Sequence, residues 1–166
     1  MRVLAICIVL LSQFCLAQNE STPQDNRATA YCDFDDGQEV SVRYSNVPAT
    51  SKDEPRNGRV WMPGGSAMTL FTGTGLTVDH TEIPAGAYSV YVIPNKKEWT
   101  LIVNKNVNSM GTYDEKQDVA RVPMELGEVE SPPKQLQVSF AHSSPKVCSI
   151  RLYYEKTGAF ADLEEK

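Results

Sequence analysis

The sequence is short of the residues from which several common kinds of site are built. It has two histidines and four cysteines, and its 16 basic residues are outnumbered by 21 acidic ones. Such a composition leaves too few ligands and nucleophiles for most zinc sites and cysteine-dependent enzymes. The net charge of -5 repels phosphate backbones. We therefore expect no metal, no cofactor and no nucleic-acid partner.

The sequence also lacks an apolar run long enough for a transmembrane helix, which needs roughly 20 residues. Its longest apolar run, 3–11, follows a positive residue at Arg2 and precedes small residues at Cys15 and Ala17. This is the pattern of a cleaved signal peptide. We predict export to the periplasm or the extracellular medium, with cleavage after Ala17 and no transmembrane anchor.

Two cysteines, Cys32 and Cys148, remain after that cleavage. An exported protein meets an oxidising compartment in which disulfides persist. We predict that the two cysteines lie on neighbouring strands at the two ends of the domain and form a disulfide. The chain-entropy model assigns about 4 to 5 kcal/mol to a loop of this length. The alternative is a pair of buried free thiols.

What the sequence has in quantity is alternation of apolar and polar residues, from residue 30 onward and without a sustained helical period. Three hairpins are expected: one around the turn at 35–37, one joining 87–93 to 99–104, and one joining 136–140 to 148–154. Many short strands without intervening helices predict an all-β fold, an antiparallel β-sandwich of about seven to nine strands. The predicted inward residues are Val40, Val42, Tyr88, Val90, Leu101, Val103, Val138, Phe140, Ile150 and Leu152.

The length of 166 residues is typical of a single domain. The predicted organisation is a signal peptide at 1–17, a flexible leader at 18–29, the β-sandwich domain at 30–157 and a C-terminal tail at 158–166. Long polar connections of the kind found at 46–59 are often functional.

Several stretches of the chain follow the order typical of a known bacterial family. They are 34–37 leading to 42–45, then 58–61, 83–89, 98–105 and 113–122. The most specific are the Pro-Ala-Gly-x-Tyr-Ser step at 84–89 and the Trp-Thr strand that ends in Asn104-Lys105. On these residues the chain resembles, over roughly 32–156, the family called domain of unknown function 2911. The resemblance implies an exported all-β protein and supplies no reaction.

The segment after Val60-Trp61 departs from the pattern of that family. The family typically continues with Arg-Thr-Gly-Ala-Asn-Glu-Ala-Thr, whereas this chain has Met-Pro-Gly-Gly-Ser-Ala-Met-Thr at 62–69. If the missing Arg, Asn and Glu form the binding or catalytic cluster of the family, this protein has lost that cluster or has changed its ligand.

Aromatic residues beside loops are candidates for a binding surface, because sandwich modules often bind sugars or peptides through exposed rings. The other interpretation is that these rings belong to the core. In that case Trp99, which begins a strand, is expected to pack against Tyr88 or Tyr91 across the hairpin. The ligand-binding candidates are Trp61, Ser66, Tyr91 and Tyr113.

Catalytic and metal-binding patterns are weak. Ser66 and His80 could contribute to a hydrolase triad, but the segment around Ser66 lacks the second glycine of a nucleophile elbow. A zinc site on His80 and His142 would need at least one further ligand. The acidic run at 33–37 lacks the downstream bidentate acid of a calcium loop, so a hairpin turn explains it better. We assign no catalytic residue.

The sequence thus favours a non-catalytic binding or interaction module whose ligand is a carbohydrate or a peptide. The alternative is an exported hydrolase that acts on carbohydrate or peptide, with its site spread over the long loops. A cleft that holds two or more close ionisable groups would favour the hydrolase. A flat or aromatic-lined face would favour the binding module.

Overall fold

The structure is a computed structural model that describes residues 26–48, 54–107 and 112–166. The predicted signal peptide, its cleavage site after Ala17 and the leader up to residue 25 lie outside these ranges. The described part contains two three-residue 3-10 turns, and no helix in it is long and apolar enough to cross a membrane. Its strands are β1 (Arg27–Asp33), β2 (Glu39–Ser45), β3 (Met68–Thr72), β4 (Leu76–Val78), β5 (Thr81–Ile83), β6 (Gly86–Ile93), β7 (Trp99–Asn104), β8 (Asp118–Glu128), β9 (Gln137–Ser144), β10 (Val147–Tyr154) and β11 (Thr157–Glu165).

Nine of these strands form one continuous antiparallel path in the order β1-β2-β3-β6-β7-β8-β11-β10-β9, and β4 pairs with β11 and β5. β8 serves two neighbours, because 118–124 pair with β7 whereas 125–128 pair with β11. Pro123 lies where the partner changes, a position that suits a residue without a backbone N–H. The ends of the path, β1 and β9, contact each other, so the sheet is nearly closed around one core.

The predicted all-β antiparallel fold is confirmed, with a different strand count. The described residues contain eleven strands instead of seven to nine. The strands follow one nearly closed path, so the two separate sheets of the predicted sandwich are not confirmed. All three predicted hairpins are present, as β1–β2, β6–β7 and β9–β10. In the first hairpin Gly37 has φ 85°, a conformation that glycine adopts without a steric penalty.

The predicted core is also observed. Nine of the ten predicted inward residues are buried, and the tenth, Phe140, is partly buried and packs against the same core. Large apolar residues at alternate positions must all face one side of a strand, because successive side chains point to opposite faces. This is why period two alone identified the inward rows.

The predicted disulfide is present, but it does not join neighbouring strands. The sulfur atoms of Cys32 and Cys148 are 2.01 Å apart and the Cα atoms 6.2 Å apart. Cys32 lies on β1 and Cys148 on β10, and β10 pairs instead with β9 and β11. Both cysteines are buried, so the bridge crosses the interior between strands that are not hydrogen-bonded to each other.

The two chain ends differ from their predicted boundaries. Residues 158–166, expected as a tail, include most of β11, which pairs with β10 from Thr157 to Glu164. The expected leader reaches residue 29, whereas β1 begins at Arg27. The inward residues of these segments are mostly small, such as Ala159 and Ala161 on β11 and Ala28 on β1, and Leu163 is the large exception. Small side chains give a weak apolar alternation, so the sequence pattern does not reveal either segment.

Candidate functional site

Trp61, the first predicted ligand-binding residue, is a core residue. Its backbone N–H donates to the Val92 carbonyl at 2.7 Å, and its carbonyl accepts from the Val92 N–H at 3.0 Å. The side chain is 6% exposed and meets Trp99 and Tyr154 edge to face, with ring centroids 5.8 and 5.0 Å apart. The core interpretation therefore holds for this ring.

The predicted packing partner of Trp99, either Tyr88 or Tyr91, was wrong. Trp99 packs against Trp61 and not against Tyr88 or Tyr91. Tyr91 lies on the opposite side of the sheet from Trp99, with Ala67 and Ile102, and so cannot reach it. Tyr88 is on the correct side but pairs near the other end of β6.

Ser66 follows a tight turn that is held against β2. Gly64 in this turn has φ 82°, and a β-carbon on it would lie 2.6 Å from the Ser45 carbonyl oxygen. The Ser66 hydroxyl lies 2.8 Å from the Ser45 hydroxyl. Segment 62–69, which departs from the family pattern, therefore packs closely against β2. The hydroxyl of Ser66 has another hydroxyl as its hydrogen-bond partner, and not a general base.

The other two predicted residues, Tyr91 and Tyr113, lie together on the outer face of the sheet, the side turned away from the core. Tyr91 is 1% exposed, and the ring of Tyr113 covers it with centroids 5.0 Å apart. The connection that carries Tyr113 thus shields Tyr91 from solvent. Tyr91 offers no ring to a ligand in this arrangement.

Four polar side chains anchor that connection, and we name them the loop clasp: Asn104, Tyr113, Asp118 and Arg121. The Asp118 carboxylate accepts from the Asn104 amide at 2.6 Å, from the Tyr113 hydroxyl at 2.6 Å and from Arg121 Nε at 2.7 Å. Arg121 also donates to the Tyr113 hydroxyl oxygen at 2.5 Å. Burial and the hydrogen bond to Asp118 raise the pKa of Tyr113 to about 12.

The side chains of the loop clasp satisfy most of their hydrogen-bonding groups with one another. Asp118 has a side-chain exposure of 10%, and its carboxylate is engaged by three donors. The remaining charge of Arg121 is met by Glu115 at 3.0 Å. A network whose donors and acceptors are already paired fixes a loop well and offers little to a ligand.

The two histidines lie in separate turns. His80 is at the tip of the β4–β5 hairpin with φ 63°, and Nε2 of His142 lies 3.3 Å from a carboxylate oxygen of Asp35. Across the residues that the structure describes, no group of three or more His, Cys, Asp or Glu side chains is placed to hold a metal ion. The Asp-rich segment forms the first hairpin turn.

A cavity that none of the predicted site residues lines lies elsewhere, on the outer face of β9, β10 and β11. It has a volume of about 620 Å³, and we call it the outer groove. It lies beside the stretch of β11 between its pairing with β8, which ends at Phe160, and its pairing with β4, which begins at Glu164. Its lining includes Asp79, Glu125, Ser149, Arg151, Phe160 and Asp162.

A second cavity, of about 260 Å³, borders Trp61 and the exposed residues before it, including Arg56 and Arg59. Ligand pockets usually occupy roughly 300 to 1,000 Å³. The outer groove lies well within this range, this cavity lies below it, and a third cavity of about 340 Å³, beside Tyr44 and Leu136, lies near its lower limit. The outer groove is therefore the better candidate site.

Arg151 is the most informative side chain of the outer groove. It is half-buried on β10, between Ser139 of β9 and Phe160 of β11 in the cross-strand row. Within the described ranges it takes part in none of the hydrogen bonds or ion pairs. An arginine side chain without a partner in the protein keeps its guanidinium donors available to a ligand.

The residues of the outer groove were missed by the sequence interpretation, and Trp61, Ser66, Tyr91 and Tyr113 do not line it. Arg151 and Phe160 occupy polar and outward positions of alternating strands, which read as ordinary solvent-facing residues. The signal that could have identified them is a pair of strand glycines, Gly127 and Gly158, since glycine inside a strand often marks a close approach.

Comparison with known proteins yields a family and no activity. A family model described as "Protein of unknown function (DUF2911)" matches residues 26–162. This confirms the resemblance found in the sequence and extends it to both ends of the strand-forming region. No match was found among curated proteins or among solved structures.

Proposed function

We propose a function for a chain that belongs to the DUF2911 family, whose description states no activity. The protein is an exported binding module without catalysis of its own, and its ligand occupies the outer groove. The observation that carries this proposal is Arg151, a half-buried residue that lines the outer groove and whose side chain has no partner in the described part of the chain.

The lining of the outer groove supports recognition of a ligand with several hydrogen-bonding groups. Arg151 supplies up to five N–H donors in a fixed plane. Asp79, Glu125 and Asp162 add carboxylate acceptors, and Phe160 adds an apolar ring. The lining is richer in polar groups than the mostly apolar pockets that bind small ligands in general, which suits a ligand with many hydrogen-bonding groups.

Export is part of the proposal and rests on the N-terminal sequence. The positive start, the apolar run at 3–11 and the small residues at Cys15 and Ala17 fit a signal peptide. The Cys32–Cys148 disulfide is consistent with an oxidising compartment. Intact-mass measurement of protein from the periplasm or medium of the expressing bacterium should give a chain that begins at Gln18. A full-length mass in the cytoplasmic fraction would contradict export.

The binding proposal is tested by screening the purified protein against carbohydrate and peptide arrays, followed by titration of any hit with Arg151→Ala. Hydrogen bonds to charged groups contribute about 1.5 to 3 kcal/mol, so the variant should bind roughly tenfold or more weakly. The matched control is Arg43→Ala, which removes an exposed arginine from β2. Equal losses in both variants, or no hit in either array, would refute a ligand site in the outer groove.

The hydrolase alternative is kept because Asp79, Glu125 and Asp162 line the same groove. No hydrogen bond or ion pair among the described residues joins any two of the ionisable groups there, so the groove does not meet the criterion of close ionisable groups that would favour the hydrolase. Pairs of carboxyl groups are the machinery of glycoside hydrolysis. Each hit from the arrays should be incubated with the protein and examined for cleavage products. Cleavage that disappears in Glu125→Gln or Asp162→Asn would replace the non-catalytic assignment with the hydrolase.

A further inference from the structure

The ring of Phe160 lies along the sheet instead of standing away from it. Gly127 and Gly158 are a cross-strand pair on β8 and β11. A β-carbon on Gly127 would lie 3.0 Å from Cζ of Phe160, and one on Gly158 would lie 3.1 Å from Cε1. The distal edge of the ring therefore occupies the space that two side chains would otherwise fill.

This placement makes Phe160 a platform. The sheet supports the side of the ring that rests on the glycine pair, while the residue remains half-buried and borders the outer groove. Because the ring is already held in place, a ligand that stacks on it loses little side-chain entropy on binding. Planar apolar surfaces of this kind suit the flat C–H faces of sugar rings.

The charges beside the platform are of both signs, one arginine and three carboxylates. Arg151 and Glu125 are the cross-strand neighbours of Phe160 on either side, so their Cα atoms are separated by two strand spacings, about 9.6 Å. Asp162 and Asp79 add two more carboxylates to the groove. A polyanion would meet three carboxylates, and a polycation would meet Arg151 at the floor. A neutral ligand rich in hydroxyl groups can donate to the carboxylates and accept from the guanidinium.

We propose that the ligand of the outer groove is an uncharged carbohydrate whose sugar ring stacks on Phe160 and whose hydroxyl groups bond to Arg151 and Glu125. This inference rests on the proposed function and specifies its ligand class. It excludes acidic sugars and peptides as the principal ligands.

The test is calorimetric titration of the purified protein with neutral oligosaccharides of glucose, xylose and N-acetylglucosamine. Acidic oligosaccharides of galacturonic acid and peptides of both charges form the comparison arms. Binding should be confined to the neutral sugars. Phe160→Ala should weaken it on the order of tenfold, since aromatic contacts contribute about 0.5 to 1.5 kcal/mol beyond burial. Phe160→Tyr should retain it.

Two further variants separate stacking from general damage. Phe71→Ala removes a 39%-exposed ring on β3, which lies beside Arg43 with the guanidinium carbon 5.9 Å from the ring centroid, and should leave sugar binding unchanged. Gly127→Ala should displace the Phe160 ring and weaken sugar binding without touching any polar group of the groove. Circular dichroism and thermal unfolding identify any variant that has lost its fold.

The outcomes distinguish the two proposals. Peptide or acidic-sugar binding that depends on Arg151, without neutral-sugar binding, would overturn the carbohydrate inference and leave the binding function intact. Neutral-sugar binding that survives Phe160→Ala would overturn the platform. The absence of binding in every arm would overturn both proposals.

Discussion

Gly64 shows how much a single backbone position contributes to the placement of a segment. Its φ of 82° lies in the left-handed region, where a side chain is strained. Its Cα also approaches β2 so closely that a β-carbon would lie 2.6 Å from the Ser45 carbonyl oxygen and 2.9 Å from the Ser45 β-carbon. Two independent costs, one of conformation and one of space, therefore disfavour every other residue at this position.

Gly64→Ala should destabilise the protein more than Gly37→Ala, with a difference of about 1 to 3 kcal/mol in the free energy of unfolding. Gly37 is the matched control, because its φ is 85° and no atom lies within 4 Å of the position of its β-carbon. Only the conformational cost applies there. Urea unfolding of both variants measures the difference, and equal losses would show that the contact with Ser45 relaxes without cost.

At the residue scale, the sequence predicts burial better than it predicts contact. Val90 and Leu101 were placed in the core by alternation alone, because alternation fixes which face of a strand a residue occupies. The partner of Trp99 was predicted incorrectly, since the position of Trp61 depends on a loop that returns to β6. Arg151 and Phe160 were missed for the same reason, as the outer groove exists only after four strands and a hairpin have come together.

At the scale of elements, large alternating side chains mark a strand clearly and small ones do not. β6 and β7 carry Val, Tyr, Leu and Trp and were predicted with their hairpin. β11 places Ala159 and Ala161 inward and ends in acidic residues, so its sequence predicts a tail instead of a strand. The opposing residues of β10, Leu152 and Ile150, are large, which leaves room only for small partners on β11. Complementarity of size across a strand pair is not visible from one strand.

The end of β11 illustrates a second element-level feature, the convergence of three strand ends. The Glu165 N–H donates to the Lys146 carbonyl at 2.8 Å, and the Asp35 N–H donates to the Pro145 carbonyl at 3.0 Å. These contacts bring the first hairpin turn, the β9–β10 turn and the last strand together. Glu165 is only 5% exposed there. Burial raises the pKa of Glu165, the negative charge of Asp36 raises it further, and Lys146 partly opposes the shift.

The direction of this pKa shift determines a pH dependence. A carboxyl group whose pKa is higher in the folded than in the unfolded protein stabilises the fold when protonated, and this stabilisation is lost as pH rises through the folded pKa. Glu165→Gln should therefore unfold at a higher temperature than the parent at pH 7, and this advantage should shrink as pH falls from the raised folded pKa towards the ordinary glutamate value, below which it should be lost. Glu164→Gln, on the exposed neighbour, is the control. If the difference in melting temperature between the parent and Glu165→Gln does not change with pH, the raised pKa of Glu165 is contradicted.

At the scale of the whole molecule, the sheet is a single path whose two ends are distant in sequence. β8 connects the two halves by pairing with β7 on one side and β11 on the other, and β1 meets β9 where the path nearly closes. Hydrogen bonds between paired strands hold neighbours along this path. The Cys32–Cys148 bridge adds a link of another kind, because it joins β1 to β10 across 116 positions of sequence and through the interior.

That bridge should have a large effect on stability and little effect on shape. The chain-entropy model gives about 4 to 5 kcal/mol for a loop of this length, an upper value because residual structure in the unfolded chain reduces it. Cys32→Ser with Cys148→Ser should lower the melting temperature markedly while the β-type circular dichroism spectrum persists. Reductant should lower the melting temperature of the parent to a similar extent and leave the double variant unchanged.

Because both cysteines are buried, the thiols must be counted by alkylation after unfolding without reductant. Two alkylated thiols in the parent would show that the bridge is absent and that the cysteines are ordinary core residues.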